Sequence, residues 1–410
     1  MKQVRIGLMS LVTAALLAAC GGGDAPVPGT GAPAGAPTTK GSFKSLVSFG
    51  DSLSDVGTYA PATSLTGDGK PPYIGGKFST NLDGNLGTIW VENLATQLAL
   101  PVVKPAEVGF AGTSVKCPVS VVAACTGYGQ GGARVTSANG YHKEAGFLTV
   151  PVVTQIANHL ASAGSFKDSD LIFVWAGDND LFMQIDPLVA GSFGAAAQTV
   201  LAAARAAATQ VQIDAAAGKI SADDAKAELA AITADASRKV FGALTTGQEA
   251  MKMAAQELAG YVRDQILAKG GKYVVVVTPV DIAITPKGVA LDATSRGYGT
   301  TLVDTFKLWL RDGLTGQPVQ WIDANTVLST IAANASANGL VNVTNTACDA
   351  AKTHGSSLFC NGTPGAPYNG LAAGADVNTW LFADDVHPTT GGHKAISNRF
   401  YDQLKAFGWI

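Results

Sequence analysis

Three apolar runs stand out along the chain, each ending at a turn-forming residue. Leu46-Val47-Ser48-Phe49 runs into Gly50, Leu171-Ile172-Phe173-Val174-Trp175 ends at Gly177, and Tyr273-Val274-Val275-Val276-Val277 ends at Pro279. Val319-Gln320-Trp321-Ile322, which ends at Asp323, is a shorter and more mixed fourth candidate. The unbroken β-branched and aromatic runs suit strands covered on both faces, since a half-exposed strand alternates apolar with polar positions. Helical spacing lies between them. Trp90, Leu94 and Leu98 share a face, as do Val152, Ile156 and His159/Leu160, and later Leu302, Phe306 and Leu310. Alternating strands and helices predict an α/β domain with a parallel sheet. In such sheets ligands sit at the carboxyl ends of the strands.

The body starts near Phe43. One stretch inside it departs from the alternation: residues 190–267 are Ala-rich and helix-favouring. Ser221-Ala222-Asp223-Asp224 has the form of a helix start. Two or three helices inserted after the second strand are expected, either as a plain layer on the sheet or as a lid over the site.

The N-terminus carries an address. Lys2 and Arg5 precede an apolar run, Ile6 to Leu17, that is too short for a permanent membrane span. Residues 1–19 therefore read as a signal peptide. Leu17-Ala18-Ala19-Cys20 resembles a bacterial lipobox, in which the Cys becomes the first mature residue and carries lipid. An ordinary signal peptide with an incidental Cys20 is the alternative. Residues 20–42, rich in Gly, Pro, Ala and Thr, read as a flexible tether. Gly21 and Gly22 follow the Cys where an inner-membrane sorting signal typically has Asp. The expected location is the bacterial cell envelope, the outer membrane ahead of the inner, or the extracellular space.

Charge narrows the partners. The 410 residues hold 28 Lys+Arg against 31 Asp+Glu, a formal charge of −3, which argues against a nucleic-acid partner. Four cysteines remain after Cys20. They allow three pairings, and in an oxidising compartment the local pairs Cys117/Cys125 and Cys348/Cys360 are favoured. No C-x-x-C occurs, which disfavours a zinc ribbon or a thioredoxin motif.

Candidate chemistry sits where the strands end. In Phe49-Gly50-Asp51-Ser52-Leu53-Ser54-Asp55, a turn can expose the Ser52 hydroxyl, a weak nucleophile until a base takes its proton. Near the C-terminus, Asp384 and His387 are spaced so that one turn can set the carboxylate against the imidazole, leaving the other ring nitrogen for Ser52. Asp385 is the rival to Asp384, expected to be exposed or bonded to backbone. Acyl transfer also needs donors for the oxyanion. Gly129-Gln130-Gly131-Gly132-Ala133 can bring backbone N–H groups close, and Asn179 in Gly177-Asp178-Asn179-Asp180 offers an amide. Asp51 and Asp55 are read as braces of the turn, and His142, His159, His354 and His393 as structural or solvated. Gly127-x-Gly129-x-x-Gly132 formally matches a dinucleotide fingerprint, but it follows the Cys117–Cys125 loop, far from the first strand, so no cofactor is expected.

These blocks, in this order, resemble the SGNH/GDSL hydrolases, the bacterial GDSL esterases and lipases: Gly50-Asp51-Ser52-Leu53, a Gly-Gly-Ala block, Gly-x-Asn-Asp and Asp-x-x-His. The resemblance spans Phe43 to the C-terminus, apart from the Ala-rich insertion. It implies a three-layer α/β/α sandwich, flavodoxin-like in style, and metal-free hydrolysis of a carboxylic ester through an acyl-serine. Ser52 then matches the nucleophile, His387 the base and Asp384 its orienting acid. Ser52 N–H, Gly132 (with Gly131 competing) and Asn179 match the oxyanion hole. Two positions depart from the family's usual pattern. Thr58 stands where relatives commonly have Asn, and Asp178 where they often have Ala; its side chain is expected to point away from the oxyanion. A lipid-anchored esterase or lipase acting on a small-molecule or lipid ester is the expected function. An acyltransferase or carbohydrate deacetylase on the same site, or a non-catalytic ligand-binding lipoprotein, are the alternatives.

Overall fold

The computed structural model describes residues 31–71, 74–189 and 192–410. The four expected strands form: β1 (Ser45–Gly50), β2 (Asp170–Trp175), β3 (Tyr273–Val277) and β4 (Gln320–Ile322). They lie side by side in that order, all parallel, with Ser48 opposite Phe173 and Val276 opposite Trp321. The longer helices are α1 (Trp90–Gln97), α2 (Val152–Ala163), α3 (Asp178–Val189), α4 (Ser192–Ala216), α5 (Ala222–Tyr261), α6 (Ala293–Gly313), α7 (Ala324–Ala333) and α8 (Thr390–Ala406).

Successive side chains of a strand point to opposite faces, and here each face meets its own core. Leu46, Leu171, Phe173, Trp175, Val275 and Val277 pack with Trp90 and Leu94 of α1, Leu328 and Ile331 of α7, and Phe400 of α8. Val47, Phe49, Ile172, Val174, Val274 and Val276 pack with Ile156 of α2, Leu181 of α3, and Leu302, Phe306 and Leu310 of α6. The three layers follow from these two faces. They also explain why the strands read as unbroken apolar runs.

β1 is not the end of the sheet. Ser48 N–H donates to Thr126 O and Tyr128 N–H to Ser48 O, so residues 126–128 run alongside β1. Gly127 in turn bridges Pro105. The chain therefore leaves β1 to one side for these short segments and to the other for β2. That change of direction opens a crevice at the strands' carboxyl ends, where α/β sheets hold ligands.

The Ala-rich stretch forms two helices, α4 and α5. Ser221 Oγ accepts the Asp224 N–H at 3.1 Å, the N-terminal cap its sequence suggested. The boundaries differ from 190–267. Asp186–Glu249 forms one compact unit, and Gly31–Ile185 with Ala250–Ile410 forms the other. From Met251 the last turns of α5 belong to the second core, through Ala254, Ala255, Leu258 and Ala259. Alanine suits both a close-packed helix and an exposed one, so composition did not mark the change.

Cys20, the signal segment and the start of the tether lie outside the described residues. The described part of the tether departs from the expectation of a free linker. Ala34 N–H donates to Gln317 O at 2.9 Å, and the Trp409 indole N–H donates to Pro37 O at 2.6 Å. Ala36 packs against the first core. Gly and Pro leave little side chain to read, but their backbone carbonyls still find donors.

Both local cysteine pairs are bonded, Cys117–Cys125 and Cys348–Cys360. The second closes a loop beside β5 (Asn342–Thr346) and β6 (Trp380–Phe382), a parallel pair whose end leads into Asp384. A loop of this length constrains the unfolded chain by about 3 kcal/mol.

Candidate active site

Three neighbouring segments end at the same edge and place the candidate residues. β1 ends at Gly50, where φ is +154° and a Cβ would stand 2.1 Å from Trp175 O, so only glycine fits. Gln155 of α2 holds this residue from both sides: its Oε1 accepts Gly50 N–H at 2.9 Å and its Nε2 donates to Gly50 O at 2.7 Å. Ser52 follows in a short 3-10 turn capped by Asp51, whose Oδ1 accepts Leu53 N–H at 3.0 Å. Asp55 braces the far side, accepting Gly57 and Thr58 N–H through Oδ1. The brace roles read for Asp51 and Asp55 match these bonds.

The C-terminal block meets this turn. His387 Nε2 lies 2.8 Å from Ser52 Oγ, and His387 Nδ1 lies 2.8 Å from Asp384 Oδ2. Asp384 also accepts Ser357 N–H at 2.6 Å and His387 N–H at 2.7 Å. Ser357 sits inside the Cys348–Cys360 loop, so that disulfide helps aim the carboxylate. Burial would raise the Asp384 pKa, but the charge and hydrogen bonds of His387, with Ser357, hold it well below the usual carboxylate range. Burial would lower His387, yet the charge and hydrogen bond of Asp384, joined by Asp385 and Asp178, outweigh it and raise the imidazole. A ring must be neutral to accept a proton. Any turnover that draws on this ring as a base is therefore expected to fall with decreasing pH through an acid limb in kcat/KM above the ordinary histidine value of about 6.5. A measured limb at or below that value would contradict the raised pKa.

Phe78 packs on the imidazole, ring centroids 4.9 Å apart. Its carbonyl takes the Nε2–H of buried His393, whose Nδ1 accepts Trp90 N–H. Burial, the largest influence on His393, lowers its pKa to about 3, so it stays neutral and structural. Asp385 faces Lys287 at 3.6 Å.

Donors converge from the other two segments. Residues 126–128 feed directly into Gly129–Gly132. Gly131 N–H is committed to Asp55 Oδ2 at 2.9 Å. Gly132 N–H has no acceptor among the described residues, which favours Gly132 over Gly131 as a donor to substrate. Gly132 has φ +78° and a Cβ there would stand 2.1 Å from Tyr141 O, so glycine is required on steric grounds. After β2, Asn179 donates one amide hydrogen to Ala133 O at 2.9 Å, which leaves the other for a ligand. Asp180 stitches the same two segments together, accepting Arg134 Nε–H and Val135 N–H, each at 2.9 Å. A hydroxyl bonded to an imidazole, a carboxylate behind that ring, and N–H groups on the Gly-rich loop and on the turn after β2 are thus carried by adjoining segments of the sheet.

The family model described as GDSL-like Lipase/Acylhydrolase matches residues 46–400. The chain belongs to that family. No curated protein matches it.

Membership in the GDSL-like lipase/acylhydrolases makes this an acyl hydrolase by family, and its two departures can now be placed. Thr58 keeps a hydrogen-bonding role near the Gly-rich loop, with Oγ1 3.4 Å from Gly129 O. Asp178, whose side chain is expected to point away from the oxyanion, belongs to the wall beside Ser52. It is buried and lines a pocket with Ser52, Leu53, Phe182, Val280, Ile282, Thr285, Val386 and His387. It opens α3 directly after the β2 turn, and its Oδ1 accepts Val280 N–H from the loop after β3, which draws the side chain inward. Sequence reasoning missed Gln155, Ser357 and Phe78. None lies in a motif, and each acts through a contact between distant segments.

Proposed function

We propose that this protein is a serine esterase of the bacterial cell envelope, lipid-anchored through Cys20, which hydrolyses carboxylic esters through an acyl-serine intermediate. The continuous hydrogen-bonded chain from Ser52 through His387 to Asp384 carries the reading. Ser52 Oγ attacks the acyl carbonyl as its proton passes to His387 Nε2. The imidazolium is stabilised by Asp384. The tetrahedral oxyanion takes the N–H groups of Ser52, Gly132 and Asn179. Collapse expels the alcohol, which receives the proton from His387. Water, deprotonated by His387, then attacks the acyl-serine; the acid is released as the Ser52 Oγ–acyl bond breaks and His387 returns the proton to Ser52 Oγ. Leu53, Phe182, Val280, Ile282 and Val386 supply an apolar wall for the substrate.

The lipobox-like Leu17-Ala18-Ala19-Cys20 supports the anchor. Each buried acyl CH₂ adds about 0.8 kcal/mol, so several chains hold firmly. A fluorophosphonate probe tests the chemistry, because only an activated hydroxyl reacts with it. Labelling is expected on the wild-type chain, mapped to Ser52 by peptide mass, and absent from Ser52→Ala. An unlabelled wild type would overturn the reading. Product analysis with added alcohol separates hydrolysis from transfer, and an acyl series from acetate to palmitate ranks substrates.

A further inference from the structure

Two carboxyl groups beside the site take no part in the steps above. Asp51 immediately precedes the nucleophile, and Asp178 immediately precedes Asn179. They leave neighbouring strands whose last residues, Gly50 and Trp175, are paired. Both are buried, Asp51 fully and Asp178 at 5% exposure. Each spends one oxygen on the backbone: Asp51 Oδ1 on Leu53 N–H and Asp178 Oδ1 on Val280 N–H. The second oxygen of each, Oδ2, is buried without a hydrogen-bond partner among the described residues. An unmatched buried acceptor costs about 1–3 kcal/mol, and native proteins leave few of them. A single proton can partner both oxygens, because a protonated carboxyl donates to its ionised neighbour.

We propose that Asp51 and Asp178 share one proton through their free Oδ2 atoms, and that this bond clamps the turn holding Ser52 to the turn holding Asn179. Both act as positioning residues, since neither needs to touch the substrate to set the distance between nucleophile and oxyanion donor.

The electrostatics agree. Burial, then the charge of Asp178, pushes Asp51 well above the usual carboxylate range. Burial also dominates at Asp178, lifting it to about 7. The other charges facing the pair are few. Asp180 of α3 opposes ionisation of both. His387, on the loop after β6 with Asp384 and Asp385, favours an ionised Asp178. Arg134 on the Gly-rich loop is bonded to Asp180, and Lys287 after β3 faces Asp385. As pH rises the shared proton is lost. Two like charges then repel, the turns separate, and a second negative charge stands beside the forming oxyanion. Hydrolysis falls on the alkaline side.

The kinetic part rests on the esterase reading; the proton itself can be observed without it. Infrared difference spectra of the wild-type protein are expected to show a protonated-carboxyl stretch at neutral pH that vanishes in alkali. It should be lost in Asp178→Asn, whose amide donates to Asp51 without titrating. In kcat/KM, Asp178→Ala should lose roughly 10- to 100-fold, the scale of a displaced catalytic group. Asp178→Asn should recover most of that loss and lack the alkaline limb of the wild type. A wild type with no protonated-carboxyl band, a band that persists in Asp178→Asn, or an alkaline limb unchanged in Asp178→Asn would each overturn the proposal. If no variant and no wild type cleaves any ester, the functional reading fails, and the infrared result still decides whether the proton is shared.

Discussion

Replacing Ser52 by alanine is expected to lower kcat/KM for a p-nitrophenyl ester by about 10⁴- to 10⁶-fold, with little change in melting temperature. In the proposed mechanism the hydroxyl bonds to the acyl carbon, and among the described residues His387 Nε2 has Ser52 Oγ, at 2.8 Å, as its hydrogen-bond partner. Residual turnover above the water rate would come from donors that survive the change, Gly132 N–H and Asn179. The small stability cost follows from what Ser52 touches. Its turn is held by Asp51 and Asp55 and by Gln155 at Gly50, none of which depends on the Ser52 hydroxyl. A variant that keeps the wild-type rate would remove Ser52 from the mechanism.

Asp384→Asn is expected to cost about 10⁴-fold in kcat while the chain stays folded, by analogy with orienting acids in other serine hydrolases. The carboxylate offers an acceptor at both oxygens and a negative charge, whereas an amide offers one acceptor and no charge. Asp384 accepts Nδ1–H, which keeps Nε2 free to take the Ser52 proton, and its charge stabilises the imidazolium. An amide nitrogen set against His387 would favour the wrong tautomer. It would also face Ser357 N–H or His387 N–H, donor against donor. The acid limb should move with the rate. With the Asp384 charge gone, only the weaker pull of Asp385 and Asp178 opposes burial at His387, and the limb should shift to lower pH. Rate and pH profile, read against circular dichroism, separate this from simple unfolding. A full rate with an unshifted limb would show that the carboxylate is not the orienting group.

Much of the fold is written locally. The runs at residues 46–49, 171–175 and 273–277 are apolar at every or nearly every position because two cores claim alternate side chains, and a single sequence displays that directly. The faces of α1, α2 and α6 are legible for the same reason. Other features carry little local signal. Residues 126–128 extend the sheet through a few backbone bonds, which any side chains permit. Gln155 grips Gly50 from a position that reads as one more residue on an amphipathic helix. The end of the Ala-rich unit falls inside α5, where composition does not change. The expectation for Asp178 weighed only the neighbours in its motif, whereas the Val280 N–H that holds it comes from the loop after another strand.

By itself the amino-acid sequence determined the strands and helices, the order of the four motif blocks and the residue types able to activate a hydroxyl, since each depends on neighbours along the chain. Only the tertiary structure decided that groups 335 positions apart meet at 2.8 Å, that Gly131 is spent on Asp55 while Gly132 is not, and that Asp178 turns inward. Hydrogen bonds act over about 3 Å. Which donor finds which acceptor is therefore settled by how the layers stack and where the strands end, and no spacing along the chain encodes that distance.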